Sequence, residues 1–120
     1  KTYPDLKGMF VTSATDLWGY ALAIEEAGKQ DAISCVGNGV PNANKDYLAS
    51  GALDFLGCWD PADAAVVMCK VGEMLKNGEE IVDGMDLGVS GYNSITLDGN
   101  TIIGQAWKDI TIDSPESDWF

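Results

Sequence analysis

Apolar and polar positions change period several times along this chain. Residues 6–11 form a short apolar run, and Ser13, Ala14, Thr15 and Asp16 then offer a Ser-x-x-Asp helix start. Leu17, Trp18, Ala21, Leu22 and Ile24 recur at helical spacing until Gly28, which is placed to stop the helix. The unit repeats as a buried strand over 32–36, a tight turn over 37–41 and a short helix over 42–50 closing at Gly51. A third strand is predicted over 54–59. Asp60-Pro61 follows it as an N-cap with Pro at the first helical position, opening a helix over 61–77. Ala64, Val67, Met68, Val71, Met74 and Leu75 make its apolar face, and Lys76 sits in the last turn, where the helix dipole favours a cation. After Gly78 the texture becomes glycine-punctuated, with β-prone pieces at 88–92, 94–97 and 101–103 and a turn signal at Asp98-Gly99. That predicts loops and a hairpin. A last strand is expected over 107–112, and the terminal Trp119 and Phe120 are expected to dock.

Three strand-helix units in succession predict an α/β fold, a parallel sheet with flanking helices, because parallel neighbours need crossovers and right-handed ones put helices on the faces. Ligands of such sheets lie beyond the carboxyl ends of the strands. Residues 12–14, 37–41 and 59–60 are therefore where binding chemistry is expected.

Composition narrows that chemistry. The 120 residues hold 19 acidic and 7 basic side chains, no Arg and no His, for a formal charge of -12. Without His there is no Ser-His or Cys-His nucleophile pair and no imidazole ligand for a metal. Seven scattered Lys on so acidic a chain form no stripe for phosphates, so nucleic acid is not an expected partner. No apolar run approaches the ~20 residues of a membrane-spanning helix. Cys35, Cys58 and Cys69 show no C-x-x-C spacing and read as core thiols.

Several motifs fall away on inspection. The run Gly37-Asn38-Gly39-Val40-Pro41-Asn42 lacks the third glycine of a dinucleotide fingerprint and the acidic residue that should follow it. It reads either as an ordinary strand-helix turn or as a turn whose N–H groups and Asn38 face an uncharged polar ligand. Gly88-Val89-Ser90-Gly91-Tyr92 is not a nucleophile elbow, since Tyr92 replaces the needed glycine and no base exists. Asp83, Asp86 and Asp98 lack calcium-loop spacing and read as solvated turns, and Asp16 reads as the capping partner of Ser13. Trp18 fits a core position or a cleft wall. Asp60 carries two readings: an N-cap worth about 1 kcal/mol, or a carboxylate that accepts ligand hydroxyls while the Trp59 indole covers the apolar face of a sugar-like ring.

The motifs Tyr3-Pro4-Asp5-Leu6-Lys7-Gly8-Met9-Phe10, Glu25-Glu26-Ala27-Gly28, Leu48-Ala49-Ser50-Gly51, Trp59-Asp60-Pro61 and Leu75-Lys76-Asn77-Gly78 stand in an order and spacing that is recognisable. The chain resembles the C-terminal part of periplasmic sugar-binding proteins, the substrate-binding subunits of ABC importers with the type I, ribose-binding-like fold. The run 36–42, the Trp59-Asp60 pair and the ending Asp118-Trp119-Phe120 resemble the rhamnose-binding and autoinducer-2-binding branch most.

That resemblance implies two lobes closing on a ligand between them. Residues 1–57 would form part of one lobe, 58–105 a hinge crossing, helix and β-rich loops of the other, and 106–120 a return strand and tail. Ligand-binding positions would be Asp60, orienting hydroxyls, with Thr12, Ala14 and the 38–41 turn, Asn38 and Pro41 included, lining one wall and Trp59 or Trp18 stacking; no catalytic residue, metal or cofactor is implied. The implied partners are a small sugar-like ligand, an ABC permease in the membrane, and a missing remainder of the same protein or a second chain, since family chains are much longer. The implied location is extracytoplasmic, in the periplasm or as a cell-surface lipoprotein. The alternatives are the ligand-sensing core of a sugar-responsive transcriptional regulator and a flavodoxin-like enzyme domain.

Overall fold

The computed structural model describes residues 3–120, which divide into two compact units. The first comprises the residues up to Cys58 together with Lys108–Phe120; the second is Trp59–Trp107.

The first unit is built on a four-stranded sheet of β1 (Gly8–Val11), β2 (Ser34–Asn38), β3 (Phe55–Cys58) and β6 (Lys108–Ile110), in that spatial order. β1–β2 and β2–β3 are parallel, whereas β6 pairs antiparallel with β3 in the register Leu56↔Ile110, Gly57↔Asp109 and Cys58↔Lys108. The predicted parallel sheet is thus a mainly parallel one with an antiparallel edge. Helices α1 (Leu17–Glu26) and α2 (Pro41–Ser50) supply the crossovers. Leu17, Ala21 and Ile24 of α1 and Leu48 of α2 bury with Val11, Cys35, Leu53, Leu56, Cys58 and Ile110 in one core. Each large side chain so enclosed contributes about 1.5–3 kcal/mol.

Two elements start away from their predicted positions. Asp16 is not the third residue of a capping box; it occupies the N-cap of α1 and makes no side-chain cap hydrogen bond. Ser13 instead lies 3.1 Å from Thr15 through their hydroxyls, and its carbonyl accepts the N–H groups of Asp16 and Leu17, so residues 13–16 form a turn before the helix. α2 begins at Pro41 itself, because the fixed φ of proline suits the first helical position and its missing N–H leaves no orphan donor. Gly37 and Asn38, predicted in a turn, complete β2.

The second unit holds α3 (Pro61–Lys76) and the hairpin β4 (Thr96–Asp98) and β5 (Thr101–Ile103). Asp98 pairs with Thr101 across the loop Gly99-Asn100, where Gly99 takes φ 58°, a value that favours glycine. Residues 88–92 are a turn and not a strand: the Leu87 N–H donates to the Tyr92 carbonyl at 3.0 Å and the Tyr92 N–H to that of Val89 at 2.9 Å. Val67, Leu87 and Ile95 form the core, with Val71, Met74 and Leu97 among the half-buried residues against it. Met68 and Leu75, predicted on the same apolar face of α3, are 69% and 63% exposed, since they project about 100° and about 80° from Val67 around the helix.

Candidate functional site

The sequence-predicted residues fall into two groups, one in each unit. In the first, β1 runs into Thr12, Ser13 and Ala14 at its carboxyl end. Thr12, Ser13, Asp16 and Tyr20 line a cavity of about 290 Å³ with Met9, Phe10 and Val11 of β1. Thr12 is exposed and Ala14 half-buried. The neighbouring wall comes from β2 and the start of α2. Asn38 is half-buried at the end of its strand, and Gly39 has no room for a side chain, since a Cβ would stand 2.7 Å from Leu17 Cδ2. Pro41 is fully buried, so its ring packs within the unit and offers no surface to a ligand. Exposed Val40 is the apolar side chain of this turn that faces outward.

Sequence reasoning passed over Asn44. Its side chain is fully buried, Nδ2 donates to the Val40 carbonyl at 2.8 Å, and Oδ1 has no partner among the described residues. An Asn inside a polar helix gives no sign of burial; the signal was its position one turn after Pro41, on the side that faces the glycine-lined strand end.

In the second unit, Asp60 caps α3 from extended backbone, φ -75° and ψ 114°, with Oδ1 accepting the Ala62 N–H at 2.8 Å. Oδ2 has no hydrogen-bond partner among the described residues. The preceding Trp59 is 48% exposed, and its ring stands 6.1 Å from that of Trp107, which is 58% exposed, with the planes tilted by 32°. A half-capped carboxylate thus follows directly in sequence on an exposed indole that pairs with a second one. An ionised carboxylate accepts hydroxyl hydrogen bonds, and an indole face covers apolar C–H surface. The set does not assemble a nucleophile with a base.

The other acidic turns are internally engaged. Asp83 Oδ1 accepts the Leu97 N–H at 2.8 Å, and Asp86 Oδ1 accepts from the Gly88 N–H at 2.6 Å and from Asn93 Nδ2 at 3.1 Å. They brace loops, beyond merely being solvated. Cys35 and Cys58 are core thiols as expected, but Cys69 is exposed on α3. Burial, and secondarily the charge of Asp54, pushes the Cys35 thiol above the ordinary range. Trp119 and Phe120 dock: Trp119 Nε1 donates to the Ser114 carbonyl at 3.1 Å, Lys45 Nζ lies 4.7 Å from its ring centre, and the Phe120 carbonyl accepts the Asn42 N–H at 3.3 Å.

No protein-family model matches the chain. Among solved structures, it is similar to LsrB from Clostridium saccharobutylicum, solved in complex with AI-2, at TM-score 0.71 and 19% identity over 93% of this chain. It is also similar to a sugar ABC transporter from Actinomyces odontolyticus, at TM-score 0.77 and 20% identity over 93% of this chain. The chain shares the fold of these two structures. The mainly parallel sheet with flanking helices matches that architecture. The chain spans 39% and 36% of the length of these two structures.

Proposed function

We propose that this chain is part of a solute-binding subunit of an ABC importer that takes a small polyhydroxylated, sugar-like ligand and delivers it to a membrane permease outside the cytoplasm. The observation that carries the reading is Asp60, next in sequence to the exposed Trp59: one of its carboxylate oxygens caps α3, while the other has no hydrogen-bond partner among the described residues. Thr12, Ala14 and Asn38, at or just past the carboxyl ends of β1 and β2, would supply further polar and small contacts, and the fold adds support because its similar structures include a sugar ABC transporter. The ligand would bind the closed arrangement of two lobes better than the open one, and closure would follow from that difference. No chemical step is required.

The test is calorimetric titration of the protein, expressed from its own gene, with L-rhamnose, D-ribose, D-glucose and AI-2. Saturable binding of at least one is expected. Asp60→Asn should weaken it at least about tenfold, or 1.4 kcal/mol, while leaving the helix capped, because Asn also caps. No binding by any of the four, or an affinity unchanged in Asp60→Asn, would overturn the proposal.

A further inference from the structure

Helix α2 starts without a cap of its own. Its N-cap is Val40, which has no side-chain acceptor, and Pro41 follows with no N–H, so Asn42 carries the first N–H of the helix body. That N–H donates to the Phe120 carbonyl at 3.3 Å. A residue far along the chain thus supplies the acceptor that Ser, Thr, Asp or Asn at position 40 would supply locally. The start of α2 in turn fixes the residues before it. Asn44, fully buried, donates from Nδ2 to the Val40 carbonyl at 2.8 Å, and Gly39 passes so close that an added Cβ would stand 3.1 Å from the same Nδ2. Val40 and Asn38 therefore keep their places only while the first turn of α2 keeps its own.

Residues 111–120 hold Phe120 there by contacts of unequal weight. Asp118 Oδ1 accepts from Lys108 Nζ of β6 at 2.7 Å, and both side chains are half-buried. Trp119 packs against the core of the first unit, with its Nε1 donating to the Ser114 carbonyl at 3.1 Å. The Thr111 N–H donates to Ser114 Oγ at 2.9 Å and the Ser114 N–H to the Thr111 carbonyl at 3.1 Å, which folds the segment back at its root. Lys45 and Glu116 stand 3.8 Å apart and are both exposed, a screened surface pair that adds little. Asp118 is therefore the anchor. We infer that residues 111–120 are a strap that positions the 38–41 turn: tied to β6 through Asp118, they cap α2 from Phe120 and so hold Val40 and Asn38 in place. Asp118 acts as a positioning residue, through Phe120 and Asn42. The strap's effect on affinity rests on the reading of 38–41 as a wall of the sugar site; its effect on α2 rests on these contacts alone.

The test follows amide exchange in the protein expressed from its own gene, with no sugar present. In Asp118→Ala the Asn42 amide should exchange at least about tenfold faster, while the amides of β2 keep their wild-type rates, as in a local opening. Asp118→Glu should restore the slow rate, because it keeps a carboxylate for Lys108. Val40→Asp added to Asp118→Ala should also restore it, because the extended N-cap backbone, φ -94° and ψ 122°, lets the new side chain replace the Phe120 carbonyl. A tail that merely covered the core would speed β2 together with Asn42, and Val40→Asp would recover neither. Calorimetric titration then uses whichever of L-rhamnose, D-ribose, D-glucose and AI-2 binds the wild type. Asp118→Ala should weaken it about threefold or more, because a loosened wall must be ordered on binding. Unchanged exchange at Asn42, equal acceleration of β2, no recovery in either restoring variant, or an unchanged affinity overturns the inference. If none of the four sugars binds, the sugar-site reading fails, and the exchange rates still decide whether the strap holds α2.

Discussion

Trp59 and Trp107 are the first and last residues of the second unit, and their indoles stand 6.1 Å apart immediately beyond the paired residues Cys58 and Lys108. The second unit therefore begins and ends on one aromatic pair. Tilted aromatic pairs at this spacing contribute about 0.5–1.5 kcal/mol beyond their buried area. Trp107→Ala should remove the exciton couplet that two coupled indoles give in circular dichroism and lower the unfolding free energy by about that amount plus the lost contact area. Trp18→Ala, which removes an indole with no ring partner among the described residues, should leave the couplet intact. A couplet that survives Trp107→Ala would mean that the rings do not stack in solution.

Much of this arrangement is legible in the sequence because short-range physics decides it. Asp60-Pro61 fixes the start of α3, and Gly51 stops α2 in the left-handed region at φ 76°. The antiparallel direction of β6 is not legible: Lys108–Ile110 reads the same as a parallel or an antiparallel strand, and its pairing with β3 is a long-range choice. The Trp59–Trp107 pair is invisible for the same reason. The apolar face of α3 was assigned too broadly, because Met68 and Leu75 satisfy a helical pattern equally well facing either side. Of the site residues, Asp60 and Trp59 could be placed from their local motif, whereas the burial of Pro41 and Asn44 depends on how closely α2 approaches the strand ends at Gly39.

Asp54 joins β2 to the approach of β3 by a reciprocal clamp. Its Oδ2 accepts the Cys35 N–H at 2.8 Å, and its own N–H donates to the Cys35 carbonyl at 2.9 Å. Removing the side-chain acceptor leaves the N–H of a buried residue without it, which costs about 1–3 kcal/mol. Asp54→Ala should therefore lower the urea midpoint of the chain by that equivalent, and Asp54→Asn should lose less because its amide oxygen still accepts. Equal losses in the two variants would show that the carboxylate charge, not the acceptor, holds the clamp.

Cys35 gives the fold a pH dependence of definite sign. Its thiol is enclosed in the core, and burial first, then the charge of Asp54, raises its pKa in the folded protein. The unfolded chain releases this proton at the ordinary thiol value while the folded protein still holds it. A group with a raised folded pKa contributes stability that is complete below the unfolded value and is lost as pH rises through the folded one. Alkaline solution should thus destabilise the wild-type chain more than Cys35→Ala, which has no thiol to ionise, although the variant starts lower at neutral pH because it leaves a cavity. The measurement is the difference in unfolding free energy between neutral and alkaline buffer for the two proteins, which differ in this one thiol. A larger alkaline loss in Cys35→Ala than in wild type would reverse the sign and place the thiolate, not the thiol, in the folded core.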